Sequence, residues 1–309
     1  MKLLSKKLIK CLAFIFLGFF ILFNSPTLAT NKPEYSQLLT PTKQNLILEP
    51  GENFNGYFKI TNNGTKPFKF KVYTESYQIS DENYSALKHD IDSKYSYITN
   101  WVTFEKEVYF LQPNEATRVN FTINVPASVP SGGQYTLLIS EMFNEDTGEI
   151  FQTINRLGMN LYTKISGETH YDGYGEILEN NIQPLFLKPP ISASFLVKNN
   201  GNVHAHAISS MTVYSLFSNK PVWTNAVNHP VTEDYPIVLP ETSRSISNKW
   251  ESSPRLGIFK VIQKVEFMGE TDIKEKLILI CPLWFILLIF ATIISFTAHA
   301  VTKHRPKKQ

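Results

Sequence analysis

The 309-residue chain has only two cysteines, Cys11 and Cys281, and both lie in apolar end segments. The body between them has none, so disulfides cannot hold it together and a hydrophobic core must do so. Catalytic signatures are missing too. There is no glycine-rich phosphate loop, no nucleophile elbow and no His-Glu-x-x-His. Carboxylate pairs such as Glu105/Glu107 and Asp90/Asp92 stand in strand or loop settings, where carboxylates ordinarily form a solvated face. The chain is therefore read as a non-enzyme with no catalytic residue and no cofactor. His204 and His206 make an H-x-H on one strand face, the spacing of two imidazoles in a zinc or copper site. No spacing names further ligands, and no metal site is assigned.

A basic body is also lacking. The net charge of +3 comes from the ends, with Lys2, Lys6, Lys7 and Lys10 at one and Lys303, Arg305, Lys307 and Lys308 at the other. All 27 acidic residues fall between these groups, where they outnumber the bases. A mildly acidic body excludes nucleic acid as a partner, because such binding needs a basic face to release counterions.

What is present is alternation. The organising stretch is Trp101–Glu141, read as three strands joined by turns. Val119, Phe121, Ile123 and Val125 alternate with Arg118, Asn120, Thr122 and Asn124, the period of a half-buried strand. Leu111-Gln112-Pro113-Asn114-Glu115 is a turn; Pro126 and Pro130 stop the strand, and Ser131-Gly132-Gly133 lets the chain reverse into Tyr135-Leu137-Ile139. Upstream, Phe54, Phe58 and Ile60 share one strand face, as do Phe68, Phe70 and Val72. With Asn62-Asn63-Gly64 between them, these two runs predict a hairpin. Residues 79–97 are polar and read as an exposed excursion.

The punctuation then recurs. Ser194–Gly201 echoes Tyr57–Gly64, Leu239-Pro240-Glu241-Thr242 echoes Leu111–Glu115, and Gly257–Val261 echoes Gly133–Leu137. The expected fold is all-β: two tandem immunoglobulin-like β-sandwiches, over 30–167 and 168–272, the second ending near Gly269.

The ends complete the layout. Basic residues, the apolar run Cys11–Phe23 and Pro26-Thr27-Leu28-Ala29 give residues 1–29 the order of a secretory signal peptide, cut between Ala29 and Thr30. Leu277–Ala298 carries no charge and at about 1.5 Å per residue is roughly 33 Å long, the length of a transmembrane helix. The basic tail, 302–309, places itself in the cytoplasm by the positive-inside tendency. The expected location is the plasma membrane, single-pass, with the N-terminus and ectodomain outside. Tyr73, Tyr77, Tyr95, Tyr97 and Tyr162 fall mostly outside the inward-facing sets and suggest a stacking or docking surface.

Several motifs together resemble a family. Pro41-Thr42-Lys43-Gln44, Leu48–Glu52, the Asn-x-Gly turn, Trp101–Phe104, the run Leu111–Tyr135 and Arg156-Leu157-Gly158 are similar to those of the bacterial WxL-interacting proteins. That resemblance implies two immunoglobulin-like ectodomains, a C-terminal helix and a short basic tail. It also implies a surface adaptor whose partner is a cell-wall polymer or a WxL-type surface protein. The function expected is therefore that of a membrane-anchored extracellular binding or scaffold protein. The alternatives are an assembly chaperone or accessory subunit using β-strand addition, or a cell-wall-modifying enzyme.

Overall fold

Two hydrophobic cores, each closed between two sheets, organise the chain. The structure, a computed structural model, describes residues 32–84, 86–88, 93–143, 155–178, 182–216, 218, 220–226 and 235–303. The signal segment with its Ala29–Thr30 cut, the Asp90/Asp92 pair and residues 304–309 of the tail lie outside the described residues.

The first sandwich is built from β1 (Gln37–Thr40), β2 (Lys43–Leu48), β3 (Asn53–Asn62), β4 (Phe68–Glu75), β5 (Tyr77–Ile79), β6 (Ala86–Lys88), β7 (Val102–Phe104), β8 (Val108–Leu111), β9 (Ala116–Asn124), β10 (Gly132–Phe143) and β11 (Asn155–Ile165). One sheet runs β1-β3-β9-β7 and the facing sheet β2-β11-β10-β4-β8, while β5 and β6 form a separate ribbon. The alternation sets which residues go inward. Phe58 and Ile60 from β3, Val119, Phe121 and Ile123 from β9, Phe68 and Phe70 from β4, and Met159 and Leu161 from β11 fill one core. Each such side chain contributes roughly 1.5–3 kcal/mol on burial, which stands in for the missing disulfides.

Two expectations are corrected. The organising stretch holds β7, β8, β9 and β10, not three strands, because the chain changes sheet between Phe104 and Val108. The predicted hairpin across Asn62-Asn63-Gly64 is an arch. β3 pairs with β1 and β9, whereas β4 pairs with β10 and β8 in the other sheet.

The reason lies in Asn62, which is fully buried. Its Nδ2 donates to the carbonyls of Lys66 (2.9 Å) and Leu111 (3.3 Å), and its Oδ1 accepts the Gly64 N–H (2.9 Å). Its own N–H donates to Glu115 O at 2.8 Å. One amide thus satisfies backbone groups that a crossing between sheets leaves inside the protein.

The second sandwich comprises β12 (Gly173–Glu176), β13 (Leu185–Phe186), β14 (Ile191–Asn199), β15 (Ala205–His206), β16 (Ile208–Ser215), β17 (Pro221–Thr224), β18 (Ile237–Val238), β19 (Ser243–Trp250), β20 (Gly257–Phe267) and β21 (Glu270–Ile280). Its sheets run β12-β14-β19 and β13-β21-β20-β16-β17, with β15 and β18 paired to each other. Phe195, Val197, Met211, Val213, Trp250, Val261, Phe267 and Ile278 belong to its core. The echoed punctuation is the same corner built twice. Asn199, fully buried, donates to Val203 O and Val238 O and accepts the Gly201 N–H, each at 2.9 Å. Even the backbone strain repeats, with Asn114 at φ 63° and Glu241 at φ 58° in equivalent turns.

The C-terminal expectation fails for a physical reason. The second sandwich does not end near Gly269. Met268 (φ 51°) and Gly269 (φ 91°) form a two-residue turn, and β21 returns along β20 as far as Ile280. Leu277–Ile280 alternates, with Ile278 and Ile280 buried and Leu277 and Leu279 exposed, so the start of the charge-free run is strand. A helix, α1 (Leu283–Lys303), begins only after Pro282. The first four residues of the run are thus taken into β21, and Pro282 separates them from the helix. Among the described residues no helix is long and apolar enough to cross a membrane. This corrects the expected transmembrane helix over 277–298 and the single-pass plasma-membrane location drawn from it.

Replacing Asn62 by Ala leaves two carbonyls and an N–H unsatisfied inside the arch, and we expect a loss of about 3 kcal/mol. The exposed neighbour Asn63→Ala should cost under about 0.5 kcal/mol. Urea unfolding of the two variants checks both values.

Candidate functional site

Described residues at both ends of the polar excursion after β5, Glu82 and Tyr84 on one side and Lys94 and Tyr95 on the other, bond to the second sandwich. A cluster of aromatic residues forms where the two bodies meet. Tyr135, Ile237 and Leu239 are its buried centre, with Tyr77, Ile79, Tyr84, Tyr95 and Tyr162 packed around them.

Tyr135 is seated by its own sequence neighbours. The Gly133 N–H donates to Asn202 O of the second sandwich at 2.7 Å, and a Cβ on Gly133 would fall 1.8 Å from Tyr135 Oη. Glycine at 133 therefore allows the Tyr135 ring to lie back over the strand toward the partner body. There Tyr135 Oη accepts the His204 N–H at 2.9 Å and stands 3.2 Å from His204 Nδ1. The phenol and the imidazole share this contact, with the donor set by the imidazole tautomer.

His204 packs against Tyr135 and Tyr162, with ring centroids 5.5 and 5.6 Å away. Burial, with help from the positive fields of His206 and Lys164, lowers its pKa to about 4. Burial pushes the Tyr135 hydroxyl well above its ordinary range. The junction is thus held by a neutral imidazole and a neutral phenol.

A second set of bonds runs from the excursion. Tyr84 Oη accepts the Leu239 N–H and lies 2.9 Å from Thr242 Oγ1, and its ring lies under the Arg244 guanidinium at 4.3 Å. The Ser245 N–H donates to Glu82 O at 2.6 Å. Glu241 accepts from Lys94 Nζ (2.5 Å) and Tyr95 Oη (3.2 Å), and the Lys94 ammonium holds its carboxyl below the usual range. Between these bonds lies a cavity of about 220 Å³, lined among others by Tyr77, Tyr95, Tyr135, Leu239, Pro240 and Glu241.

These positions revise the roles expected from sequence. His204 and His206 do not converge on a ligand. His204 Nδ1 faces Tyr135, and His206 Nδ1 faces Tyr235 O at 3.1 Å. Among the described residues no group of three His, Cys, Asp or Glu could hold a metal. Of the tyrosines expected on a docking surface, Tyr77, Tyr95 and Tyr162 are drawn into the junction. Tyr73 sits in a charged cluster on the outer sheet face, where burial and its bond to Glu141 push it up to about 12. Only Tyr97 is openly exposed. Tyr84 and Tyr135 carried no functional reading, although a tyrosine inside a polar excursion was a usable signal.

A second feature is an open sheet edge. The Val72 N–H donates to Glu107 O at 2.8 Å, which fixes the alternation along β8. Glu107, Tyr109 and Leu111 turn their backbone groups to β4, and Val108 and Phe110 turn theirs off the edge. The side chains of Val108 and Phe110 are 44% and 50% exposed. Among the described residues no strand pairs with that edge. The corresponding edge of the second sandwich, β17, is guarded by Pro221 and a register shift between Val213 and Tyr214.

No family model matches the chain, and no curated protein matches it. Solved structures do. A chaperone–tip adhesin complex of CFA/I fimbriae biogenesis is similar at 13% identity and a TM-score of 0.40, over 78% of this chain and 98% of that one. The class 5 fimbriae chaperone CfaA is similar at 14% identity and a TM-score of 0.39, over 78% and 99%. A chaperone–tip adhesion subunit complex of Acinetobacter baumannii gives 12% identity and a TM-score of 0.36, over 68% and 89%. These are distant likenesses of an all-β layout.

Two outcomes follow from the junction. His204 has a lowered pKa, so below about pH 6.5 the unfolded chain takes up a proton that the folded junction refuses until about pH 4. Stability at the junction is full above pH 6.5 and falls by up to about 3 kcal/mol as the pH drops toward 4. In His204→Phe the fall between pH 6.5 and 5 should disappear from urea-unfolding profiles. Gly133→Ala should displace the Tyr135 ring and cost about 2 kcal/mol, with loss of near-ultraviolet tyrosine dichroism.

Proposed function

We propose that this chain is a binding protein of the accessory or assembly type, which holds an extended segment of a partner protein by strand addition to β8. The observation that carries the reading is the open edge of the first sandwich. Val108 and Phe110 direct their N–H and C=O groups away from β4, and their side chains form an apolar ledge beside them. A segment laid along it gains main-chain hydrogen bonds for affinity and side-chain contacts for choice of partner. The contrast with the guarded edge of β17 supports the same reading, because unprotected edges attract other chains.

The resemblance to the WxL-interacting proteins supplies the candidate partner, a WxL-type surface protein. Binding of a cell-wall polymer has less behind it. The tyrosines on which stacking would have rested lie largely within the junction.

The test uses a proline. At 110 it removes an outward N–H and spares the β4–β8 ladder, so the fold should tolerate it. The immobilised chain is offered a purified WxL-type surface protein and, separately, purified wall sacculi. We expect retention of the protein, and at least about tenfold weaker retention by Phe110→Pro at unchanged unfolding midpoint. Equal retention by both chains would overturn the role of β8. Retention of sacculi alone would return the wall-polymer reading.

A further inference from the structure

We propose that the cavity at the junction of the two sandwiches is a binding site for an organic ammonium group, a cation on a short apolar stem. A lysine side chain on a protein and a free quaternary amine both present that chemistry. The site is separate from the β8 edge and does not depend on strand addition there.

Three phenol rings, from Tyr77, Tyr95 and Tyr135, border a space of about 220 Å³ whose remaining wall includes Leu239 and Pro240. The rings of Tyr95 and Tyr135 stand 6.4 Å apart and are inclined by 47°, so they do not close on each other as a stack. Aromatic faces carry negative electrostatic potential and attract cations, most strongly where water is excluded. Glu241 adds a carboxylate to the same wall. It holds that position from a left-handed backbone, φ 58°, which is unfavourable for glutamate and which Asn114 fills at the matching turn of the first sandwich. Glutamate there trades local strain for an anion facing the junction.

The chain also displays the preference itself. Lys94 Nζ lies 5.0 Å over the Tyr95 ring and 2.5 Å from Glu241 Oε1, so an ammonium already sits between a ring and the carboxylate. Lys94 does not line the cavity, and its side chain is 59% exposed, so it approaches Glu241 from the solvent side. A neutral apolar compound meets only the rings, Leu239 and Pro240 on this wall, whereas an ammonium on an apolar stem finds the carboxylate as well.

The full chain is titrated by calorimetry with choline, with Nα-acetyl-lysine methylamide and with the uncharged Nα-acetyl-norleucine methylamide. We expect the two cations to bind and the norleucine compound not to bind; the tighter of the two identifies a free amine or a protein lysine as the source. Lys94→Met removes the competing ammonium and should tighten binding about fivefold, while Glu241→Gln should weaken it about tenfold. Tyr95→Phe keeps the ring and should keep binding, whereas Tyr95→Leu should lose it, with circular dichroism confirming an intact fold in each. Absence of binding by both cations to the wild type and to Lys94→Met would overturn the proposal. Equal binding of the norleucine compound would also overturn it, by reducing the cavity to an apolar hollow.

Discussion

A buried asparagine amide stands at the corner where each sandwich passes from one sheet to the other, and much else follows from it. A chain crossing between sheets carries backbone carbonyls and N–H groups into a region that water does not reach. Asn62 satisfies three of them with one side chain, and Asn199 does the same in the second sandwich. Each asparagine also fixes the turn opposite, through its own N–H to Glu115 O in one body and Thr242 O in the other. Leu239, Pro240 and Glu241 stand in that second turn. The corner that closes the second core thereby also aims three residues at the first sandwich.

Polar groups tie the junction, and that matters for what it can do. Tyr135, Tyr84 and Glu241 each reach across to a named partner, and the spaces between them are not fully packed. An interface of this kind tolerates a cavity, whereas close-packed apolar interiors leave few voids. Neutrality of His204 is part of the same arrangement. Its imidazole fits between two phenol rings only without a second proton, because burial and the neighbouring cations oppose the charge.

The two sandwiches share a plan but treat their sheet edges differently. Pro221 and a register shift blunt β17, while β8 presents Val-Tyr-Phe-Leu without either device. The two bodies thus combine equal architecture with unequal edges.

Much of the fold was legible because a strand with one buried face must alternate, and the alternating runs of β3, β4, β9, β11, β14 and β20 all did. The Asn-x-Gly and Leu-x-Pro punctuation was visible in both halves, and its recurrence announced two similar bodies. Alternation does not say which sheet a strand joins, so an arch at Asn62 read as a hairpin. A charge-free run satisfies a strand as well as a helix, so the expected membrane span takes in Leu277–Ile280, the last residues of β21, which Pro282 divides from the helix. The site was less legible still. Alternation places Tyr77, Tyr95 and Tyr162 off the inward faces and so suggests an outer surface, whereas they pack into the junction. The sequence by itself determined the inward faces of the longer strands and the repeated turn punctuation, because those depend on a period of two and on turn chemistry. Only the tertiary structure decided that the polar excursion docks on the second sandwich, that Gly133 makes room for Tyr135, and that Glu241 meets Lys94. Each of these joins residues more than 60 positions apart or depends on a side-chain direction that no local pattern encodes.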